Sequence, residues 1–233
     1  MTFADTKLGR LPLSYKTVLK HGTVELEEKR SRFIANAWPV ESEAEALERI
    51  EAVRKEHPSA THNVPAYQVG YRGNLQRYSD DGEPSGTAGI PVLDVLRKGE
   101  VQNTVVVVTR YFGGTKLGAG GLVRAYGSAA SAGVRAATVV TMRLFKRLLV
   151  EVSYDLLGTV QYRLEQMGLP IEDIEYLSSV TLTALVPFED VDTVRHTVTG
   201  LTSAQGSFAE GGYVFIPQDG DTLLPRAKRD LKP

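Results

Sequence analysis

The longest hydrophobic run without polar alternation lies at residues 104–109 (TVVVVT). A β-branched run of this kind predicts a strand that is buried on both faces. It leads into a turn over 110–121 that contains five glycines, and the small residues that follow predict a helix over 118–137. Glycine allows positive φ and close backbone approach, so this strand, turn and helix are expected to organise the N-terminal part of the chain.

Alternating apolar and charged residues predict a strand over 23–29 and its hairpin partner over 31–40. Ser42 and Glu45 have the spacing of a capping box, which predicts a helix over 43–56. The side chains expected on its inner face are Leu47, Ile50 and Val53. Residues 1–16 show no clear period and are interpreted as irregular.

A loop at 79–91 is dense in turn-forming residues and precedes another predicted helix. Ser85 or Thr87 is expected to cap this helix, and Pro91 suits its first turn. Gly99 is placed to end it.

After residue 147 the pattern predicts the element order β-α-β-β-α-β. The strands are expected at 148–154, 171–177, 179–186 and 207–216, with helices from 155 and over 188–199. This order is that of the ferredoxin-like split βαβ motif. The residues from 218 are polar and are expected to be a flexible tail. The predicted fold class is α+β, with one domain over 1–147, a second over 148–217, and a tail over 218–233.

A chain of 233 residues is long enough for one or two domains. No run reaches the roughly 18 apolar residues of a membrane span, and the first residues lack the apolar stretch of a signal peptide. A cytoplasmic protein without a membrane partner is therefore expected. The absence of cysteine excludes disulfides and thiolate chemistry.

The net charge of −1 hides an asymmetry along the chain. Residues 1–147 carry 21 Lys or Arg and 15 Asp or Glu (+6), whereas 148–217 carry 2 and 10 (−8). The last 16 residues carry 4 and 3 (+1). The division supports a domain boundary near 147 and places any contact with a polyanion on the N-terminal part. Ordinary solvated surface charge is the alternative.

The glycine-rich turn has the chemistry of an anion site. Because it opens a helix, free backbone N–H groups and the positive end of the helix dipole are expected there. The predicted anion-binding or partner-binding set is Arg110, Tyr111, Gly113, Gly114, Lys116, Gly118, Gly120, Gly121 and Arg124. The order of glycines and Lys116 fits neither a P-loop nor a dinucleotide fingerprint. The alternative is that the glycines only allow the helix to pack closely on the sheet.

A second candidate loop carries the carboxylates Asp80, Asp81 and Glu83, followed by Ser85 and Thr87. Such carboxylates could bind a hard cation or act in acid–base chemistry. Their spacing is not that of a calcium loop, and the four histidines have no zinc-ligand spacing, so no metal and no cofactor are predicted. Turn and capping chemistry is one alternative. The other is a recognition surface in which this loop faces the glycine-rich turn.

His62 lies at the start of a strand predicted over 66–71. A lone histidine in such a place is more often a hydrogen-bonded structural residue than a catalyst. Together with Asp81 and Glu83, it is nevertheless a weak catalytic candidate.

Two long motifs, Asp80–Pro91 (DDGEPSGTAGIP) and Val107–Tyr126 (VVTRYFGGTKLGAGGLVRAY), resemble the IMPACT family and its bacterial YigZ-like branch. The resemblance also takes in 29–35 and 62–67 and covers most of residues 15–140. It implies an N-terminal domain like the second domain of a small-subunit ribosomal protein and like GHMP kinases. It further implies a C-terminal domain like the last domain of elongation factor G.

The resemblance also implies a role in translation. Eukaryotic members regulate translation initiation by binding the activator of an initiation-factor kinase, and bacterial members have been suspected of binding nucleic acid or the ribosome. Two departures matter here: Val64 and Pro65 leave no nucleophile after Asn63, and the charge of −8 over 148–217 opposes a direct contact with phosphates.

Three functions are compatible with these observations. The first is regulation of translation by binding RNA, the ribosome or a translation-linked protein through the basic glycine-rich turn. The second is a kinase-like or hydrolase-like enzyme acting on a phosphorylated or anionic small molecule, although no complete catalytic set is visible. The third is a protein-interaction module that docks a partner on the two loops.

Overall fold

The structure is a computed structural model that describes residues 3–6, 9–71 and 73–231. The chain divides into two compact units: a first unit, Tyr15–Thr141, and a second unit, which joins the chain from Met142 onward to the described residues before 15. The boundary lies six residues earlier than the predicted one at 147, within a strand that continues across it. A pattern of alternating residues gives no signal where such a strand passes from one unit to the next.

The elements up to the glycine-rich helix are β1 (Phe3–Thr6), β2 (Gly9–Pro12), β3 (Ser14–Val18), β4 (Gly22–Glu28), β5 (Ser31–Pro39), α1 (Glu43–Glu56), β6 (His62–Val69), β7 (Leu75–Tyr78), α2 (Gly89–Gly99), β8 (Thr104–Tyr111) and α3 (Ala119–Ala136). The interpretation of residues 1–16 as irregular was wrong, because β1 and β2 pair antiparallel and β3 follows them. These strands are too short to show a clear period.

The remaining elements are β9 (Val139–Val152), α4 (Tyr154–Gln166), β10 (Ile171–Tyr176), β11 (Val180–Pro187), a 3₁₀ turn (Phe188–Asp190), α5 (Val191–Leu201), β12 (Ser207–Asp219), β13 (Thr222–Leu223), a second 3₁₀ turn (Pro225–Ala227) and β14 (Arg229–Asp230). The predicted order β-α-β-β-α-β is observed from β9 to β12. None of the helices in the described ranges combines the length and apolar character needed to cross a membrane.

The first unit is built on a five-stranded antiparallel sheet in the order β4-β5-β8-β6-β7. Its central strand, β8, is buried on both faces, as the β-branched run predicts. Val106 and Val108 join the core under α2 and α3, whereas Val105 and Val107 join the core under α1. Successive side chains of a strand point to opposite faces, so β8 divides the unit into two apolar layers.

Helix α3 packs very closely on β5. A Cβ placed on Gly133 would lie 2.9 Å from the Cβ of Ala35. The small residues of this helix therefore allow its close approach to the sheet, which brings the N-terminus of α3 and the preceding glycine-rich turn to the end of β8.

Helix α1 begins at the predicted cap, where the N–H of Glu45 donates to Oγ of Ser42 (3.2 Å). Ile50 and Val53 are buried as predicted, but Leu47 is 49% exposed, so its predicted inward position was wrong. Ala46 takes the inner position instead. Residues 46, 50 and 53 follow the i, i+4, i+7 spacing of one helix face, and residue 47 lies off that face.

The sheet of the second unit contains the strands β10-β11-β9-β12-β13 in that order, and β14 also pairs with β12. The residues from 218 to 231 therefore include two short strands, and the prediction of a flexible tail does not describe them. Their partner is β12, which extends to Asp219. The polar composition of the segment does not reveal this backbone pairing. The last two residues of the predicted tail lie outside the described range.

Candidate functional site

Asp80 holds the start of α2. Its carboxylate accepts hydrogen bonds from the N–H groups of Gly86 (2.8 Å), Ala88 (3.1 Å) and Gly89 (2.8 Å). Burial acts to raise the pKa of Asp80, but the three donors outweigh it and hold this pKa below its ordinary value. The capping alternative therefore accounts for Asp80, which serves helix N–H groups that lack an intrahelical partner.

The predicted caps Ser85 and Thr87 do not cap α2. The N-cap residue is Ala88, which offers no side-chain acceptor, and the hydroxyl of Thr87 donates to the carbonyl of Pro84 (2.6 Å). The prediction was wrong because the side chain that caps α2 does not come from the residues next to the helix. The loop folds back, so that a carboxylate eight positions before Ala88 reaches the helix end.

Asp81 and His62 are joined by hydrogen bonds between the loop and β6. The N–H of Asn63 donates to Oδ2 of Asp81 (2.6 Å), and Nδ1 of His62 lies 2.7 Å from the Asp81 carbonyl oxygen. A carbonyl oxygen only accepts, so Nδ1 of His62 carries the hydrogen. The other ring nitrogen, Nε2, lies 3.6 Å from Oε1 of Glu83.

Glu83 forms a buried polar cluster with Arg110 and Tyr126. Its Oε1 accepts from Nη1 of Arg110 (2.6 Å) and from the hydroxyl of Tyr126 (2.8 Å). Glu83 is 9% exposed and Arg110 is 5% exposed. Burial raises the pKa of the Tyr126 phenol, and the neighbouring Glu83 carboxylate raises it further. Arg110 also lines the first cavity described below, but its charge is already paired with Glu83.

Aromatic rings surround the Arg110 guanidinium. Its central carbon lies 5.5 Å from the ring centroids of both Phe33 and Phe112. Nη2 of Arg110 lies 3.4 Å from Oγ of Ser31, and Nε is buried without a hydrogen-bond partner in the part of the chain that the structure describes. The guanidinium thus fills a small space between rings, a carboxylate and a hydroxyl, and it supports the turn that follows β8.

The glycine-rich turn lies against the turn between β4 and β5. The N–H of Gly113 donates to Oγ of Ser31 (3.1 Å), and a Cβ on Gly113 would come within 2.0 Å of the backbone of Arg30. Gly114 and Gly118 have positive φ values of 84° and 73°. Close approach or a positive φ therefore accounts for the glycines at these three positions.

The other predicted glycines have different surroundings. A Cβ on Gly121 would meet only Leu117, at 2.9 Å, and a Cβ on Gly120 would have no atom within 4 Å. A larger side chain would therefore fit at position 120, and steric crowding does not explain the glycine there.

Tyr111 lies on the other face of the sheet from Arg110. Its hydroxyl is 3.0 Å from Nδ1 of His57, and the Arg32 guanidinium carbon lies 5.4 Å from its ring centroid. The sequence grouped Tyr111 with Arg110, but neighbouring residues of a strand point to opposite faces. The two side chains are therefore not brought together.

Two cavities border the glycine-rich turn. The first, of about 400 Å³, is lined by polar groups that include His62, Glu83 and Lys116 and by apolar groups that include Phe112 and Leu122. Gly118 and Ala119, where α3 begins, also line it. No acidic residue stands in the first turn of α3, so its N–H groups keep the positive end of the helix dipole.

The second cavity, of about 290 Å³, is lined by Lys29 and Arg124 but also by Glu27 and Glu28. Lys116 and Arg124 therefore do not share one cavity, although the sequence placed them in one set. Lys116, Arg124, Lys29 and Arg30 are all exposed. Together they form the basic surface, the name used below for these four residues.

Three members of the site were missed by sequence reasoning as site residues: Ser31, Phe112 and Tyr126. Tyr126 had a usable signal, since it stands among small residues on the inner face of α3, and a buried tyrosine hydroxyl usually finds a partner. Phe112 had a signal as well, since it is an aromatic residue inside the predicted turn. Ser31 gave none, because its contacts with Arg110 and Gly113 join distant parts of the sequence.

Comparisons with known proteins agree with this architecture. The Impact N-terminal domain matches residues 29–134, and the domain of unknown function DUF1949 matches 150–205. An IMPACT family member of Bacillus subtilis, YvyE, is 39% identical over 203 residues, which is 87% of this chain and 94% of YvyE. The Escherichia coli member YigZ is 36% identical over 167 residues, which is 71% of this chain and 82% of YigZ.

A solved structure described as the crystal structure of a hypothetical protein is also similar. It has a TM-score of 0.56 and 31% identity, and the match covers 85% of this chain and 97% of that one. Fold and matches together define a two-domain α+β protein. The chain belongs to the IMPACT family, and its relatives YvyE and YigZ are bacterial members.

Proposed function

We propose that the first unit binds RNA, either free or on the ribosome, through the basic surface and thereby regulates translation. The observation that carries the proposal is the position of Lys116 beside the start of α3, with Arg124 exposed in that helix and Arg30 exposed in the turn that contacts Gly113. Phosphates are attracted by exposed cations and by helix N-termini. Arg110 is left out of this surface because Glu83 neutralises it in the interior.

The finer fold assignment is part of the same proposal. We assign β9–β12 to the ferredoxin-like class, since the element order is that of the split βαβ motif and β9 lies between β11 and β12. The translation theme comes from the family resemblance, which implies that the first unit is like a ribosomal-protein domain and the second like the last domain of elongation factor G. The charge of −8 over 148–217 favours a basic protein as partner of the second unit.

The test is the binding of labelled RNA and of ribosomes to the full chain over a series of salt concentrations. Lys116→Glu is expected to weaken binding because it reverses one charge of the basic surface. Lys55→Glu, at the exposed end of α1 on the other face of the sheet, is the matched control and is expected to bind normally. Binding that does not change with salt would count against the proposal, since phosphate contacts release counterions.

The first cavity favours a second candidate, an enzyme acting on a phosphorylated or anionic small molecule. Nε2 of His62 faces Glu83 at 3.6 Å, and Lys116 lines the same cavity. His62 would act as acid or base beside the bound anion. The carboxylate of Asp81 accepts a hydrogen bond from the N–H of Asn63, and Asp81 is not among the residues that line this cavity.

A thermal-shift screen of nucleotides and sugar phosphates separates this candidate from the first. Stabilisation by one compound, lost in His62→Gln and retained in Lys55→Glu, would favour the enzyme. Equal melting temperatures across the screen would leave RNA binding as the supported function.

A further inference from the structure

We propose that the first cavity receives one unpaired base of a single-stranded RNA, stacked against Phe112. The inference rests on the proposed RNA binding and adds a preference for single strands. It uses two features that binding of phosphates alone leaves unexplained, which are an exposed aromatic ring and the apolar part of the cavity beside it.

Phe112 is an exposed but supported ring. It keeps 47% of its surface exposed although it lies next to a buried strand. Its backbone N–H donates to Oγ1 of Thr61 (3.0 Å), and the buried Arg110 guanidinium lies 5.5 Å from its ring centroid. Arg110 is in turn held by Glu83 at 2.6 Å. These contacts hold the ring in place, so stacking a base on it would cost little additional conformational entropy.

The cavity beside the ring has the size and the lining for a planar heteroaromatic group. Its volume of about 400 Å³ lies within the usual range of ligand sites. Pro84, Leu117 and Leu122 give it apolar walls. His62 adds a second ring nitrogen, Nε2, since its Nδ1 is already hydrogen-bonded to the Asp81 carbonyl oxygen. Unpaired bases are bound in this way, by stacking and by hydrogen bonds to their edges.

Positive charge lies at the same cavity. Lys116 lines it together with Gly118 and Ala119 at the start of α3. A phosphate attached to the inserted nucleotide would therefore meet a cation while its base contacts Phe112. A base within a duplex is paired and stacked, so it cannot enter, and duplex RNA would use only the exposed cations.

The experiment measures fluorescence anisotropy of the full chain with two labelled RNAs at one low salt concentration. One is a single strand of about ten uridines, a length within the usual site size, and the other is a duplex of equal length. The variants are Phe112→Ala, Phe112→Tyr, which keeps an aromatic face, and the control Tyr78→Ala, whose ring is also 47% exposed. Thermal melting checks that each variant is folded.

We expect Phe112→Ala to weaken single-strand binding about five- to a hundredfold, the usual effect of losing one stacked base. Phe112→Tyr and Tyr78→Ala should bind the single strand normally, and no variant should change duplex binding. If Phe112→Ala proves unfolded, Phe112→Leu replaces it, because leucine fills the space without a π face.

Three results would overturn the inference. If single strand and duplex bind equally and Phe112→Ala weakens neither, the basic surface binds RNA without a base pocket, and the proposed function stands. If Phe112→Ala weakens both RNAs equally while the variant stays folded, Phe112 supports the turn and does not stack a base. If the unchanged chain binds neither RNA at low salt, the proposed function itself fails and the inference falls with it.

Discussion

Glu83→Ala should strongly destabilise the first unit. The substitution removes the acceptor of Nη1 of Arg110 (2.6 Å) and of the Tyr126 hydroxyl (2.8 Å), both in the interior. A buried charge that loses its partner costs about 3–5 kcal/mol, and an unsatisfied buried hydroxyl costs about 1–3 kcal/mol. Since such costs are not additive, we expect a loss of about 4–6 kcal/mol in the free energy of unfolding.

Urea unfolding followed by tryptophan fluorescence measures this loss. Trp38 is the single tryptophan of the chain and lies in β5, so it reports on the first unit. Glu83→Gln keeps an acceptor oxygen for the Tyr126 hydroxyl but leaves the Arg110 charge unpaired, so its cost should be that of the lost charge pair alone, about 3–5 kcal/mol. Adding Arg110→Met to Glu83→Gln should recover part of the loss, because it removes the unpaired charge.

The reasoning would be refuted if Glu83→Ala cost less than about 1 kcal/mol, the size of an ordinary exposed ion pair. Arg110 would then be loosely held and free to meet an anion, and its exclusion from the basic surface would be wrong.

Two further predictions concern local contacts. Asp80 has a lowered pKa in the folded protein. Its contribution to the free energy of unfolding is therefore fully present above the unfolded pKa of about 3.9 and is lost as the pH falls below that value. In urea unfolding at several pH values, Asp80→Asn should be less stable than the unchanged chain at pH 7 and should lose less stability in acid. An equal acid dependence would contradict the role of Asp80. In α3, Gly127→Ala should stabilise by about 0.5–1 kcal/mol, since its Cβ would meet nothing within 4 Å. Gly133→Ala should instead destabilise the protein, because its Cβ would lie 2.9 Å from that of Ala35. Thermal melting distinguishes the two variants, and equal shifts in melting temperature would contradict the close packing of α3 on β5.

The sequence was sufficient where structure depends on local pattern. The run at 104–109 predicted a strand buried on both faces, and Ser42 predicted the start of α1. The element order from β9 to β12 also followed from spacing alone. In each case the signal is carried by residues a few positions apart, which is the range over which periodicity and capping act.

The sequence was insufficient where distant segments meet. Arg110 looked like an exposed cation of the glycine-rich turn, but Glu83, 27 residues earlier, pairs with it in the interior. Asp80 looked like one of three equivalent carboxylates until the fold placed it at the start of α2. Only the tertiary structure shows which charges are paired inside the protein and which, such as Lys116, are exposed.

The most direct test of the account is the slope of log K against log salt concentration for single-stranded RNA binding by the full chain. Lys116→Ala is compared with Arg110→Met, after tryptophan fluorescence has shown that both are folded. The account predicts that Lys116→Ala reduces the magnitude of the slope by about 0.7, the value for one lost phosphate contact on a single strand, while Arg110→Met leaves it unchanged. A slope reduced in Arg110→Met and unchanged in Lys116→Ala would contradict the assignment of the basic surface.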